Sequence, residues 1–227
     1  MREIILHGRG PNTMSLAMLE SLERDIDAAN EEPILLTGEG RAFSAGLDLD
    51  DLAAATPETI FEMLRRLERI VRKLFLHPAP TLALVNGHAV AGGCLLVQCC
   101  DLRIAKDDPT LRIGMTGVAI GLIYPPFVTA IFRQRVPVPH VETVLLGAER
   151  FAPHAALALG LLDAITPADS WREIARKKFE ARIQLPAHAY AATKLALREP
   201  TLASGGAEGE RFERDVLPSW TRTLLRK

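Results

Sequence analysis

The sequence predicts an α/β protein in which short buried strands are covered by helices. Apolar segments of strand length alternate along the chain with longer segments whose apolar residues repeat at helical spacing. Two of the predicted strands lead into glycine-containing turns with the same layout. The chain has 227 residues, 48% of them hydrophobic, and is therefore long enough to bury a sizeable core in one domain.

Helical spacing is clearest in two segments. In residues 16–29, Leu16, Leu19, Leu22 and Ile26 fall on one face of a helix. Residues 57–76 repeat apolar positions in the same way, and Pro57 suits the first turn of a helix. Further helices are predicted at 92–100, about 127–135 after the proline pair 125–126, and about 140–161 as a hairpin; strands are predicted at 34–37, 81–85 and 102–105.

The chain from Ser170 onward is predicted to be helical as well. The glycine run at residues 205–209 indicates a flexible joint before a last helix at 211–226, not a phosphate loop, because no Lys-Ser or Lys-Thr follows it. Apolar residues of this tail, such as Ile174 and Leu195, need a surface to cover, either on the same subunit or on a neighbour.

The overall charge excludes some function classes. With 27 basic and 28 acidic residues, the formal net charge is -1, so no bulk attraction to nucleic acid or to an anionic membrane is expected. The absence of a signal sequence and of a membrane-length apolar run predicts a cytoplasmic protein. Cys94, Cys99 and Cys100 share one apolar segment and are expected to be core thiols, with no disulfide framework and no metal site.

The most informative stretch is 85–94 (VNGHAVAGGC), where an apolar strand leads into a glycine pair that opens a helix. Such a junction directs unpaired N–H groups at whatever lies in front of it, and fixed donors can stabilise a developing oxyanion. An oxyanion hole needs two donors, and residues 34–48 repeat the same layout. The alternative is that Gly46, Gly92 and Gly93 only permit tight turns.

Four motifs together resemble the crotonase superfamily, the enoyl-CoA hydratase/isomerase group. They are FSAGLDL at 43–49, NG with AGGC at 86–94, CDLRI at 100–104 and GLLD at 160–163, and the resemblance extends from about residue 10 to 198. Within this group, the sequence pattern is most similar to that of the Δ3,Δ2-enoyl-CoA isomerases. The similarity lies in FSAGLDL, in AGGCL and in the segment from Ile113-Gly114 to Gly121-Leu122-Ile123.

The resemblance implies a spiral of ββα repeats, with a core at 1–169 and a C-terminal helical trimerisation or capping segment at 170–227. It also implies a homotrimer or dimer of trimers, a role in fatty acid metabolism, and an acyl-CoA thioester as substrate, with coenzyme A as part of the substrate and no other cofactor. The backbone N–H groups of Leu47 and Gly92 would hold the thioester oxygen. The expected substrate-binding residues are Ala45, Gly46, Leu47, Asp48, Gly92 and Gly93.

The sequence departs from this family at two positions. Hydratases use two glutamates and isomerases keep the second, but the matching residues here are Leu95 and Gly117. Because acid–base chemistry needs a group within hydrogen-bond reach, hydration is disfavoured, and isomerisation equally lacks its usual base. The resemblance to the isomerases favours isomerisation over hydration. Decarboxylation of a malonyl-type thioester, which needs no base, and acyl-CoA binding without catalysis both stay open.

Four other side chains are candidates for a role in the chemistry. Tyr124 matches a tyrosine of some decarboxylases in the superfamily and would orient a carboxylate or donate a proton, or it packs on the proline pair. Glu149 either supplies a carboxylate in place of a missing one or is a solvated charge in a loop. His88 is expected to be structural and Asp101 to be a turn or capping residue rather than a base.

Overall fold

The computed structural model of the protein describes residues 1–203 and 206–218. The strands are β1 (Arg2–Leu6), β2 (Ile34–Gly38), β3 (Ala42–Ser44), β4 (Thr81–Val85), β5 (His88–Val90), β6 (Leu102–Lys106), β7 (Ile113–Gly114) and β8 (Ala164–Thr166). The helices are α1 (Arg9–Asn12), α2 (Leu16–Ala29), α3 (Leu49–Ala54), α4 (Pro57–Phe75), α5 (Gly92–Cys99), α6 (Pro126–Arg135), α7 (Val141–Leu146), α8 (Pro153–Ala158), α9 (Trp171–Ile183), α10 (Ala187–Ala203) and α11 (Gly206–Arg211).

The strands form two parallel sheets. The larger has the order β1-β2-β4-β6-β8 and the smaller the order β3-β5-β7. Successive strand pairs therefore contribute one strand to each sheet before a helix follows, which confirms the predicted α/β spiral. Every residue of β2 and β4 is buried, as expected for parallel strands that are covered on both faces.

The predicted long elements agree closely with the structure. Helix α2 and strand β4 begin and end at the predicted residues, and α4, α5 and α6 differ by one residue at one end. Strand β1 and the short strands β3, β5, β7 and β8 were not predicted. The prediction of a flexible joint is wrong from Gly206 onward, because these residues are helical. The part of the predicted last helix beyond residue 218 lies outside the described residues.

Helix α5 lies at the centre of the core, with its side chains from Cys94 to Cys99 buried. The three cysteines are free, buried thiols, as predicted. Burial raises the pKa of Cys94 and of Cys100 to about 12, so both stay protonated at neutral pH. In residues 1–203 and 206–218, no helix is long and apolar enough to cross a membrane.

Asp101, just beyond α5, is the anion of a buried ion cluster. Its carboxylate accepts hydrogen bonds from the Thr81 N–H, the Tyr190 hydroxyl and the Lys194 ammonium group, each at 2.8 Å. The Arg198 guanidinium lies 2.9 Å from the same carboxylate. Asp101 therefore joins α10 to the core, a larger role than the predicted turn or cap.

Arg198 also neutralises the ends of two helices. Its Nη1 donates to the carbonyl oxygens of Phe75, at 2.7 Å, and Cys99, at 3.2 Å, which are the last residues of α4 and α5. A cation is favourable at a helix C-terminus because the unpaired carbonyls carry partial negative charge. Burial alone would raise the pKa of Asp101, but the charges of Lys194 and Arg198 outweigh burial and lower it.

We expect Asp101→Asn to reduce the free energy of unfolding by about 3–5 kcal/mol at pH 7, because it leaves two buried cations without their anion. A folded-state pKa below the unfolded value means that Asp101 stabilises the fold above about pH 4 and loses this effect as the pH falls through the lowered pKa. Urea denaturation from pH 7 to pH 3 measures both effects. The exposed Asp169→Asn is the control, and an equal loss in both variants would contradict the assignment.

Candidate active site

The two glycine junctions predicted from the sequence lie in direct contact. Gly46 has a φ of +86°, and a Cβ atom there would lie 2.6 Å from the Gly92 nitrogen and 2.9 Å from the Ala91 Cβ. A Cβ atom on Gly93 would lie 2.2 Å from the Ser44 carbonyl oxygen. Only glycine permits this approach, so the two backbone segments fix each other's position.

Ala91 immediately precedes α5 in a strained conformation. Its φ of +50° and ψ of -116° are unusual for a residue with a side chain, and such strain costs of order 1–3 kcal/mol. The Ala91 N–H donates to the Gly114 carbonyl oxygen at 2.9 Å, which ties the segment to β7. The strained residue determines where the next N–H group, that of Gly92, points.

The N–H groups of Leu47 and Gly92 have no acceptor in the described part of the chain. The residues around Leu47 are engaged: Ala45 N–H donates to the Pro11 carbonyl, Gly46 N–H to the Ser44 hydroxyl and Asp48 N–H to the Met14 carbonyl. Gly92 is the first residue of α5, where no intrahelical acceptor exists. Both donors are thus available to an external oxygen.

A cavity of about 120 Å³ lies in front of these donors. Among the residues described, only Thr116 and Tyr124 contribute polar side chains to its wall, so no carboxylate, histidine or lysine faces it. The wall includes Ala45, Leu47 and Gly92 from the glycine junctions, Leu64 and Leu67 from α4, Leu95 from α5, Phe127 and Val128 from α6, and Met115, Gly117 and Leu122.

Helices α4 and α6 supply wall residues that the sequence analysis did not single out as site residues. Leu67 and Val128 are only 5% and 3% exposed, and their helical spacing is the same as that of core residues. Periodicity shows which face of a helix is buried and does not distinguish a packed core from a cavity wall. The sequence therefore contained no signal for this part of the site.

Tyr124 is half-buried in the cavity wall, and its hydroxyl oxygen accepts a hydrogen bond from the Gly117 N–H at 2.9 Å. Burial raises the pKa of Tyr124, and the N–H groups of Gly117 and Val118 oppose this rise. Tyr124 is accordingly protonated at neutral pH. Because backbone N–H groups occupy the oxygen, its own hydrogen is left to donate to an acceptor in the cavity.

Leu95 and Gly117, the two positions where the resemblance leads us to expect a carboxylate, both line this cavity. A Cβ atom on Gly117 would lie 2.8 Å from Tyr124 Cε1 and 3.2 Å from its hydroxyl oxygen. The tyrosine ring therefore fills the space next to residue 117. Glycine at 117 and tyrosine at 124 depend on each other sterically.

Gly46, Asp48 and Gly93 are buried behind the cavity wall and do not line it. The Asp48 carboxylate caps α3 and accepts from the Thr13 hydroxyl at 2.6 Å, and the Arg9 guanidinium lies 2.8 Å away. Burial opposes ionisation, but these bonds outweigh it and lower the pKa of Asp48 to about 2. Asp48 holds the Leu47 segment in place through its side chain.

His88 and Glu149 both lie away from the cavity. His88 is exposed, and its Nδ1 accepts from the Arg112 N–H at 3.0 Å. Glu149 is an exposed loop residue between α7 and α8. Within the described ranges 1–203 and 206–218, no group of three or more His, Cys, Asp or Glu side chains is placed to hold a metal ion.

The sequence profile of the enoyl-CoA hydratase/isomerase family matches residues 3–226. The chain therefore belongs to this family. It is 29% identical to the mouse mitochondrial enoyl-CoA delta isomerase 1 over 81% of the chain, and 37% identical to the zebrafish mitochondrial enoyl-CoA hydratase domain-containing protein 3 over 73%. The matches span 63% and 58% of those two proteins.

Solved structures agree with the spiral fold. An enoyl-CoA isomerase of Mycobacterium tuberculosis superposes with a TM-score of 0.85 at 29% identity and covers 94% of this chain, which in turn covers 93% of that one. The human mitochondrial delta3-delta2-enoyl-CoA isomerase superposes with a TM-score of 0.87 over 96% of this chain and 89% of its own, at 24% identity. The chain thus has the fold of this family.

We expect Gly117→Glu to destabilise the protein by about 1–3 kcal/mol, the usual range for overpacking, because the new side chain displaces the Tyr124 ring. The double variant Gly117→Glu/Tyr124→Ala should recover part of this loss, because it removes the ring. Thermal unfolding of the two variants and of Tyr124→Ala alone gives the coupling. Additive effects of the two substitutions would contradict the steric dependence.

Proposed function

We propose that the protein binds an acyl-CoA thioester and stabilises its enolate with the N–H groups of Leu47 and Gly92. The observation that carries this proposal is the pair of unpaired donors at the wall of an apolar cavity. In a site that excludes water, such donors act in a low dielectric and need no reorganisation. Loss of one donor of this kind costs about 3 kcal/mol of transition-state stabilisation.

The two ends of the substrate would occupy different environments. Leu49 and Ile123 line the cavity and are each 51% exposed, which marks its mouth, whereas Leu95 and Met115 are buried in its depth. The large polar coenzyme A would therefore stay at the mouth while the acyl group enters. Coenzyme A is then part of the substrate, and the proposal requires no separate cofactor.

We favour isomerisation of an enoyl-CoA over hydration because isomerisation only relocates one proton. One group is available for this transfer, since Tyr124 is the one ionisable side chain among the described residues of the cavity wall. Its phenolate would accept the proton from the α-carbon, the C–H electron pair would pass into the thioester carbonyl, and the same proton would return to the γ-carbon. Burial raises the pKa of Tyr124, so the phenolate is a small fraction at neutral pH, and this fraction rises about tenfold per pH unit below that pKa.

Decarboxylation of a malonyl-type thioester is the second candidate, favoured by the cavity wall without a carboxylate. The bond to the carboxylate carbon would break, CO₂ would leave, and its electron pair would form the enolate without a base. The protonated Tyr124 would then donate its hydrogen to the α-carbon and recover a proton from solvent. This reaction needs the hydroxyl form of Tyr124 and should not accelerate with pH.

The C-terminal segment 170–227 is proposed to serve in assembly. Leu185, Leu195 and Leu197 are 50%, 43% and 65% exposed, and an apolar surface of this kind favours a subunit contact. The homotrimer or dimer of trimers, the boundary near residue 170, the cytoplasmic location and the role in fatty acid metabolism stay predictions.

The assay offers purified protein 3-enoyl-CoA, 2-enoyl-CoA and methylmalonyl-CoA in turn, between pH 7 and 9. We expect conversion of 3-enoyl-CoA at a rate that rises with pH, and loss of turnover in Tyr124→Phe with CoA-ester binding retained. Tyr190→Phe, which removes the other tyrosine hydroxyl of the chain, is the control.

The other outcomes decide between the alternatives. Turnover of methylmalonyl-CoA with no rise in rate over this range supports decarboxylation. Thermal stabilisation by CoA esters without turnover of any of them indicates a binding protein. Absence of both turnover and stabilisation contradicts the proposed function.

A further inference from the structure

A second cavity, of about 240 Å³, adjoins the first. The two cavities share three wall residues, Leu64 of α4, Pro125 just before α6, and Phe127 of α6. Leu64 and Phe127 are each 8% exposed and line both cavities, and we call this pair the partition. The other wall residues of the second cavity include the apolar Leu202, Phe212 and Leu217 and the charged Arg65, Glu68, Arg72 and Glu210.

The partition has a rigid base. Pro125 and Pro126 immediately precede Phe127, and proline fixes the backbone φ angle at both positions. Phe127 therefore enters α6 in a direction set by the backbone. Leu64 faces it from the middle of α4, a helix of 19 residues that is packed along its length against the core.

The volume of the first cavity limits the acyl group that it can hold. An apolar protein cavity of about 150 Å³ accepts a benzene ring, which has six carbons. By this measure the first cavity, of about 120 Å³, accepts about four or five carbons. A longer chain that starts at the Leu47 and Gly92 donors would meet the Leu64 and Phe127 side chains.

We propose that Leu64 and Phe127 determine acyl-chain length and that the protein takes short-chain acyl-CoA thioesters of about four carbons. This inference rests on the proposed function, because it requires the acyl end of a CoA thioester to enter the first cavity. The second cavity is then the space that a longer chain would occupy if the partition were removed. Within it, Leu202, Phe212 and Leu217 are the apolar side chains that would contact a hydrocarbon chain.

The test measures the Kd of saturated acyl-CoAs with 4, 6, 8 and 10 carbons by calorimetry, so it does not depend on turnover. For wild-type protein we expect binding of the 10-carbon ester to be at least tenfold weaker than that of the 4-carbon ester. In Phe127→Ala the cavities join, and each further buried methylene should strengthen binding up to about fourfold. The 10-carbon ester should then bind at least tenfold tighter than to wild type.

Val128→Ala is the matched control, because Val128 lines the first cavity and does not line the second. It enlarges the first cavity without opening the partition and should leave the preference for short chains in place. Phe127→Leu and Leu64→Val are milder variants, checked by thermal unfolding, that should shift the preference in the same direction if Phe127→Ala fails to fold.

Equal or tighter binding of the 10-carbon ester by wild-type protein would overturn the inference while leaving the proposed function intact. The same gain for long chains in Val128→Ala and in the partition variants would also overturn it. Failure of wild-type protein to bind an ester of any length contradicts the proposed function instead, and the inference fails with it.

Discussion

The site depends on the contact between the backbones of Gly46 and Gly92, which leaves no room for a side chain between them. A Cβ atom on Gly46 would lie 2.6 Å from the Gly92 nitrogen, closer than real Cβ contacts. The contact brings together segments that follow β3 and β5, two neighbouring strands of the smaller sheet. Two N–H donors from different parts of the chain thereby face one cavity, and the strain at Ala91 is maintained by the structure around it.

Helix α5 connects this contact with the rest of the protein. Its first residue, Gly92, carries a proposed oxyanion donor, and its last, Cys99, has its carbonyl bound by Arg198 from α10. A helix of eight residues is about 12 Å long, which is the distance between these two contacts along α5. The C-terminal helices thus contribute to the core as well as to the proposed assembly surface.

The chemistry of the cavity follows from what its wall contains. Apolar side chains exclude water and strengthen the two N–H donors, while Tyr124 is the single ionisable group that faces the cavity from the described residues. Its ring fills the space beside Gly117, the position where isomerases of the family were expected to carry their carboxylate. In the proposed function, this wall leaves Tyr124 as the group that transfers the proton.

Local sequence signals predicted the long elements and both glycine junctions. Helical periodicity depends on residues that are close together in the chain, and the close approach of two backbones depends on glycine. Strands β3, β5 and β7 have two or three residues each, too few for a periodic pattern. The bond between Asp101 and Lys194 spans 93 residues, and only the tertiary fold brings the pair together. The pairing of Tyr124 with Gly117 depends on the turn between them, which no pattern specified.

We propose that the Leu47 and Gly92 N–H groups receive the thioester oxygen. A crystal structure of the protein with a bound acyl-CoA thioester tests it directly. We expect the thioester oxygen to lie about 2.7–3.1 Å from both nitrogens, with the acyl group inside the cavity beside Tyr124. A thioester oxygen bound away from these two nitrogens, or an acyl group outside the cavity, would contradict it.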